Sequence, residues 1–512
     1  MTRLSRWDWG LVALLAAWTF APLALLLADG RPLTGADGVI GADQLQYLAW
    51  IRDAADHGLA ANLFDLRESP HDFAHPMFTA SGGLVALGAS VQLAYLLWKP
   101  VALAVALAGA LAWARRLLPG RPRAQAAAVA LGLLSFSPIA AAALWAGAGS
   151  ASERADLLST SAELFTAASL WGYLPTVVAI GLMPLTVLAV ERGLRGAGER
   201  DAPIGWRWLA LAAGLGALAS WLHPWQGVAL ALVLAGLAVF PGQARRRAAL
   251  ALPAAGLLAP LAYYWLLARY DVAWDLSSRV NEIGRPPLWI VAAALVPLAI
   301  PAVYGLRRPG EDLVERALVL WIAASLASYA FLPPFPPHAL GGLALPLGVL
   351  AVRGWERLRA PAWVAAIAVA AMVAPGAAYV ARELDRAADS PVQQLWLAED
   401  EADALRDVRE RAPAGGVLAP FPLAAAVPSQ TGRPVWMGHL SWTPRFYERA
   451  REAEALFAGE MGAALARAFV RDTGARVVVS DCRGGPDLRT VLGPMVAAVR
   501  RHGCATVYVL RG

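Results

Sequence analysis

Apolar stretches of roughly 20 residues, the length that crosses a hydrocarbon core of about 30 Å, recur along this chain from residue 10 to residue 381. They fall near 10–28, 92–114, 124–146, 172–190, 208–222, 225–241, 248–268, 287–305, 316–332, 338–352 and 362–381, which predicts about eleven transmembrane helices. The fifth and sixth are short and are split by His223-Pro224, so residues 208–241 also read as one broken span. Between the first two spans lies a polar loop, residues 35–81, with Asp37, Asp43, Asp53, Asp56, Asp65, Glu68, Asp72, His57, His71 and His75. Within it Leu45, Leu48, Ala49, Ile51 and Ala55 fall near helical spacing, and Gln46, Arg52, Asp53 and Asp56 sit elsewhere on the wheel. That pattern predicts an amphipathic helix lying on the membrane surface, with Asp43 at its start, where a carboxylate caps a helix.

After Ala381 the pattern changes. Residues 391–512 are densely charged and hold no membrane-length run. Residues 416–420, 434–438, 475–481 and 505–510 read as short strands, and 445–457, 462–472 and 488–502 as helices. Alternation of this kind predicts a small α/β domain. The expected architecture is an α-helical polytopic membrane bundle, residues 1–385 with the loop 35–81, followed by an α/β domain, residues 391–512.

Composition agrees with a membrane chain. Of 512 residues 58% are hydrophobic and 16% charged, against about 25% charged in soluble proteins. The net charge of +6 comes almost wholly from arginine, Lys99 being the single lysine. An arginine skew accompanied by abundant Ala and Gly reflects GC-rich coding, so it gives no reason to expect a nucleic-acid partner. The apolar run after Arg3 and Arg6 has no small-residue cleavage site behind it and reads as a retained helix.

The arginines set the orientation instead. Alternate connections carry Arg3 and Arg6; Arg115, Arg116, Arg121 and Arg123; Arg192, Arg195, Arg200 and Arg207; Arg245 to Arg247; Arg307, Arg308 and Arg316; and Arg353, Arg357 and Arg359. The opposite connections carry Arg31, Arg52, Arg67, Arg154, Arg269, Arg279 and Arg285. Arginine-rich loops stay cytoplasmic, which puts the N-terminus inside a plasma membrane and the 35–81 loop outside. An odd span count puts the C-terminal domain outside too. Counting 208–241 as a single span would place the later arginine loops on the wrong side, which favours eleven. Cys482 and Cys504 then lie in an oxidising space that favours a disulfide. As ends of neighbouring parallel strands, though, they would sit too far apart to bond, and both outcomes stand.

The polar positions suggest chemistry at the outer rim. Asp43 is the first candidate for a catalytic carboxylate, its plain alternative being a helix cap. Lys99 stands in apolar surroundings near the outer boundary, where an ionisable group is a functional candidate or snorkels its stem. Glu153, Asp156 and Glu163, in the next outer loop, could join Asp43 in holding a divalent cation through oxygen. His71, Asp72 and His75 form a weaker zinc-type set. His223 and Trp225 mark an outer turn with an aromatic face suited to a sugar, although interfacial belts use tryptophan too. In the tail, the turn Gly438 to Pro444 carries His439 and Trp442, with Trp436 just before it, a surface that could grip an acceptor.

The loop residues Gly41-Ala42-Asp43 with Tyr47, the His75-Pro76 pair, and the late segment Phe335 to Leu350 (FPPHALGGLALPLGVL) together resemble the GT-C glycosyltransferases. Those multispanning enzymes take sugars from polyprenyl-phosphate or polyprenyl-diphosphate donors. The resemblance implies that Asp43 is the catalytic base, that His338, Lys99 and His75 meet the donor phosphate or lipid, and that Tyr47, His223 and Trp225 border the acceptor or sugar. It implies a membrane enzyme of the cell envelope, with a lipid bilayer and a polyprenyl-phosphate-linked sugar as its partners. No Asp-X-Asp stands in the second outer loop, where the oligosaccharyl branch has a metal site, so the cofactor stays open between none and a divalent cation. The rival classes are a polytopic lipid or solute transporter or flippase, which would show internal repeats and broken helices, and a non-catalytic membrane assembly protein.

Overall fold

The computed structural model describes residues 4–194, 204–239, 244–307, 310, 312–333, 335–390 and 393–511, without the side chains at 244–246. Arg3, Arg195, Arg200 and Arg308 lie outside the described residues, as do the first two residues of the predicted tail domain. The chain gathers into two compact units. The first takes Met1–Phe20, Lys99–Trp265 and Glu282–Glu383; the second takes Ala21–Trp98, Leu266–Asn281 and Leu384–Gly512. Composition drew its boundaries along the chain, whereas the units collect residues by contact, and the polar loop shares a unit with the tail.

Each of the eleven apolar stretches forms helix, in places interrupted. Eight helices among the described residues are long and apolar enough to cross a membrane, from Arg6–Asp29 to Ala362–Asp389. The chain is a multi-pass membrane protein. Trp206–Leu222, Pro224–Val239 and Ala344–Arg357 are shorter. The break at His223-Pro224 arises because proline cannot donate to the preceding turn; His223 is extended there, with φ −154°. A Cβ on Gly227 would come within 2.8 Å of Ser220 Cα. The two helices therefore fold back on one another as a hairpin, not as one broken span.

Small residues let helices of the first unit approach closely. A side chain at Gly354 would collide with the Pro301 carbonyl, and one at Gly109 with the Gly181 carbonyl. Ion pairs join the helix ends that carry the arginines. Arg115 meets Asp8 at 2.8 Å, Arg116 meets Glu191 at 2.7 Å and Asp312 at 2.8 Å, and Arg121 meets Glu356. Buried Arg353 forks onto Glu315 at 2.8 and 2.6 Å and donates to the Leu117 carbonyl. These contacts hold the N-terminus and the 115–123, 312–316 and 353–357 connections on one end of the unit. That is the grouping the arginine count required.

In the second unit the helix Gly41–His57 is not an amphipathic rod on a membrane surface. Gln44, Gln46, Trp50 and Asp53 are buried along with its aliphatic positions. It is packed on by Pro76–Ala86, where a Cβ on Gly82 would stand 2.9 Å from Ala54. Arg52, polar in the wheel, reaches past it to donate to the Ser429 carbonyl at 2.6 Å. Trp50, Phe73, Trp274 and Trp442 pack ring against ring at 4.6–5.2 Å, so Trp442 serves as core and not as an open platform. Trp436 is likewise buried, against Phe469.

The tail sheet has four strands, β1 Val417–Leu418, β2 Val477–Ser480, β3 Val496–His502 and β4 Ala505–Leu510, in the order β1-β2-β4-β3. β1 and β2 are parallel, and the other two pairings are antiparallel. The helix expected over 488–502 stops after Arg489–Leu492, where Gly493 takes φ 41° and Pro494 follows. The residues beyond it extend as β3, and Gly503, at φ 50°, turns the chain into β4. Because β4 runs against β2, the end of β2 meets the start of β4. Cys482 and Cys504 lie there with Cα atoms 5.0 Å apart and form a disulfide. The expectation of two distant cysteines assumed a parallel pair and fails for that reason. The segment 434–438 contributes only a bridge, Val417 to Val435.

Candidate functional site

In the second unit the helix bearing Asp43 starts from an unusual backbone. Ile40 takes φ 62°, ψ 52°, a left-handed conformation that a β-branched side chain resists. Gln44 reaches back to brace it, accepting from Asp37 N at 3.0 Å and donating to the Asp37 and Val39 carbonyls at 2.7 and 2.8 Å. This clasp fixes where the first turn begins. Asp43 sits in that turn, and the capping position belongs to Ile40, whose side chain makes no cap. The Asp43 carboxylate faces His439 instead, with Oδ1 2.9 Å from Nε2. The sequence places His439 in a turn that could grip an acceptor and does not link it to Asp43. The signal that would have singled it out was an imidazole between Gly438 and Ser441 in a polar loop, but only folding pairs it with Asp43.

The tautomer of His439 follows from its other nitrogen. Ser441 N–H donates to Nδ1 at 3.2 Å, so the proton of a neutral ring sits on Nε2 and points at Asp43. Thr443 Oγ1 accepts from the backbone of Gly438 and His439 and donates to the Phe64 carbonyl at 2.9 Å, which locks the turn. The result is a carboxylate that meets an oriented imidazole N–H, with the Asp43 side chain 27% exposed and His439 5% exposed. A carboxylate so placed can accept a proton from a bound hydroxyl or amide.

Two other candidates in this unit are packed. His75 is buried at the start of Pro76–Ala86, its ring stacked 4.0 Å from Phe78. Tyr47 is half-buried against Phe78 and Tyr95. Aromatic packing accounts for both positions.

The first unit gathers a second group. His338 Nδ1 lies 2.6 Å from Glu163 Oε1. Around that ring stand Phe335, stacked at 4.2 Å, Trp225 at 4.9 Å and His223 at 5.2 Å. Gln226 fastens the segment by donating to the His338 and Gly341 carbonyls at 3.2 and 3.1 Å. The outer turn of His223 and Trp225 and the late-segment His338, separate in the sequence, thus meet around Glu163, which was read as a loop carboxylate able to join Asp43 at a cation. A carboxylate on Nδ1 fixes the orientation of the imidazole.

Lys99 belongs elsewhere. It is fully buried and donates from Nζ to the Leu170 carbonyl at 2.9 Å, so it braces the helical turn Thr166–Trp171 instead of meeting solvent. Glu153 is taken up by a capping box with Ser150. Hydrogen bonds from Ser150 N and Oγ hold its carboxyl below the usual range. Asp156 is half-exposed on the same helix, Ala151–Leu164. His71 lies 3.3 Å from Asp53.

No protein-family model matches the sequence, and no curated protein does. Solved structures do match. The archaeal oligosaccharyltransferase AglB from Archaeoglobus fulgidus, in complex with an inhibitory peptide and a dolichol-phosphate, aligns with a TM-score of 0.56 at 13% identity, covering 93% of this chain and 69% of AglB. The same oligosaccharyltransferase tethered to an acceptor peptide aligns at 0.55 and 12% identity, with the same coverage. The arabinofuranosyltransferase AftD from Mycobacteria aligns at 0.52 and 17% identity over the whole of this chain and 42% of its own. At such identities the likeness is one of fold. The helical membrane bundle with a small C-terminal domain, implied by the GT-C resemblance, is the fold the chain has.

Proposed function

We propose that this chain is a membrane glycosyltransferase that moves a sugar from a polyprenyl-phosphate-linked donor to an acceptor on the outer face of the plasma membrane. The observation that carries the reading is the Asp43 carboxylate gripped by His439 Nε2–H at 2.9 Å, in the first turn of a helix whose start is braced by Gln44. The fold it shares with a dolichol-phosphate-bound oligosaccharyltransferase and with an arabinofuranosyltransferase supports a lipid-phosphate donor. The arginine-rich end of the first unit is taken as cytoplasmic, with the N-terminus inside and the tail outside.

In the proposed step the acceptor heteroatom attacks the anomeric carbon as Asp43 takes its proton. The bond from that carbon to the phosphate oxygen breaks, and the polyprenyl phosphate leaves with the electron pair. One carboxylate suffices for such an inverting displacement, and no covalent intermediate forms. His439 keeps the carboxylate aimed. In the first unit, His338, oriented by Glu163 and bordered by Trp225 and His223, is proposed as a group that binds a lipid phosphate.

The test is turnover of polyprenyl-phosphate-linked sugars by purified full-length protein in lipid nanodiscs, with and without chelator. Asp43→Asn keeps the shape and removes the base. Loss of turnover with an unchanged melting temperature supports the reading, and full turnover by the variant refutes it. Loss on chelation, restored by a divalent cation, would show that transfer depends on a metal.

A further inference from the structure

The far end of the helix that carries Asp43 holds a cluster unrelated to sugar transfer. Asp53 and His57 stand one turn apart on it, and His71 comes from the loop that follows. Asp53 is 3% exposed and its Oδ2 accepts Ala61 N–H at 2.7 Å, which turns Oδ1 outward. His57 Nδ1 lies 2.9 Å from that oxygen and His71 Nε2 lies 3.3 Å from it, with the two rings 3.9 Å apart. One oxygen and two imidazole nitrogens thus fall within 4.8 Å of one another.

We infer that Asp53, His57 and His71 form a binding site for a divalent transition-metal ion of the zinc class. Bonds of about 2.0–2.1 Å at a tetrahedral ion space its ligand atoms roughly 3.4 Å apart. The two spacings to Asp53 Oδ1 are already near that figure. Both imidazoles are partly exposed, His57 at 50% and His71 at 37%, and can adjust while buried Asp53 stays fixed. One carboxylate oxygen and two imidazoles suit zinc, cobalt or nickel and not magnesium or calcium. The exposed side leaves a fourth position to water.

The backbone supports a clamp. Ala60 and Phe73 exchange hydrogen bonds at 3.1 and 3.0 Å, closing the loop that delivers His71. An ion at the cluster would fasten this loop to the last turn of the helix. Asp43 lies ten residues away, about 15 Å along the axis, so the ion has no part in the proposed transfer step.

The experiment uses full-length protein purified without a polyhistidine tag, stripped of metal and titrated with Co2+, then with Zn2+ in competition. The expected result is one equivalent of bound cobalt with visible d–d absorption, displaced by zinc, and a melting temperature that zinc raises. In His71→Ala the affinity falls by at least about tenfold, the loss already caused by removing a mere supporting residue around a metal. In the double variant His57→Ala/His71→Ala the absorption and the thermal shift disappear. Equal melting temperatures of all three proteins in chelator show that the variants fold. Absence of saturable cobalt binding in the parent protein overturns the proposal. So does a double variant that binds as well as the parent, and either result leaves the reading of Asp43 untouched.

Discussion

Replacing His439 by alanine tests how Asp43 is held. The ring donates one hydrogen bond to an ionised carboxylate, and such bonds contribute about 1.5–3 kcal/mol. With the Asp43 side chain 27% exposed, water takes over part of that bond, so about 1.5 kcal/mol is the better figure. At 1.36 kcal/mol per decade, kcat/KM should fall roughly tenfold. The melting temperature should fall as well, because a 5% exposed ring packed near Phe64 leaves a void. His439→Gln separates the two effects, since its amide nitrogen reaches close to where Nε2 stood. It should recover most of the rate, with a pH profile whose acid limb stays near that of the parent protein. The assay is sugar transfer from a polyprenyl-phosphate donor in nanodiscs, with thermal unfolding measured in parallel. If His439→Ala keeps full kcat/KM while Asp43→Asn is inactive, the imidazole does not act through the carboxylate and the pairing is only structural.

Three further outcomes follow from the geometry. Glu163→Gln removes the charge that orients His338 at 2.6 Å, so KM for the donor should rise about tenfold with a smaller change in kcat, as read from initial rates over donor concentration. Reduction of Cys482–Cys504, which are 22 residues apart in sequence, should cost about 3 kcal/mol of tail stability, seen as lower tolerance to denaturant and faster proteolysis. Burial first, and Asp271 second, push Asp72 above its ordinary carboxyl value of 3.8. The folded state therefore prefers the protonated acid, and stability drops as pH climbs from 3.8 through the raised value. Asp72→Asn should accordingly raise the melting temperature at neutral pH, with the gain vanishing below pH 3.8.

How much of this was written in the linear pattern depends on the range of the forces involved. Membrane helices show in sequence because each must be apolar along its own length to leave water. The eleven stretches and the grouping of the arginine connections were therefore readable, and the ion pairs from Arg115, Arg116 and Arg353 fit that grouping. Asp43 stood out because it opens a helix in a polar loop. Its partner did not, because 396 residues separate Asp43 from His439, and no local rule joins positions that far apart. Glu163 and His338, 175 residues apart, were missed as a pair for the same reason. The disulfide turned on strand direction, which Gly493 and Pro494 decided by ending a helix that local apolar spacing would have continued. Burial of Lys99 and His75 was likewise beyond local reading, since a side chain's surroundings are set by elements from elsewhere in the chain. Hydrophobic periodicity is a property of neighbours in sequence and fixed the helices; a site is a property of neighbours in space, and only the packed chain created it.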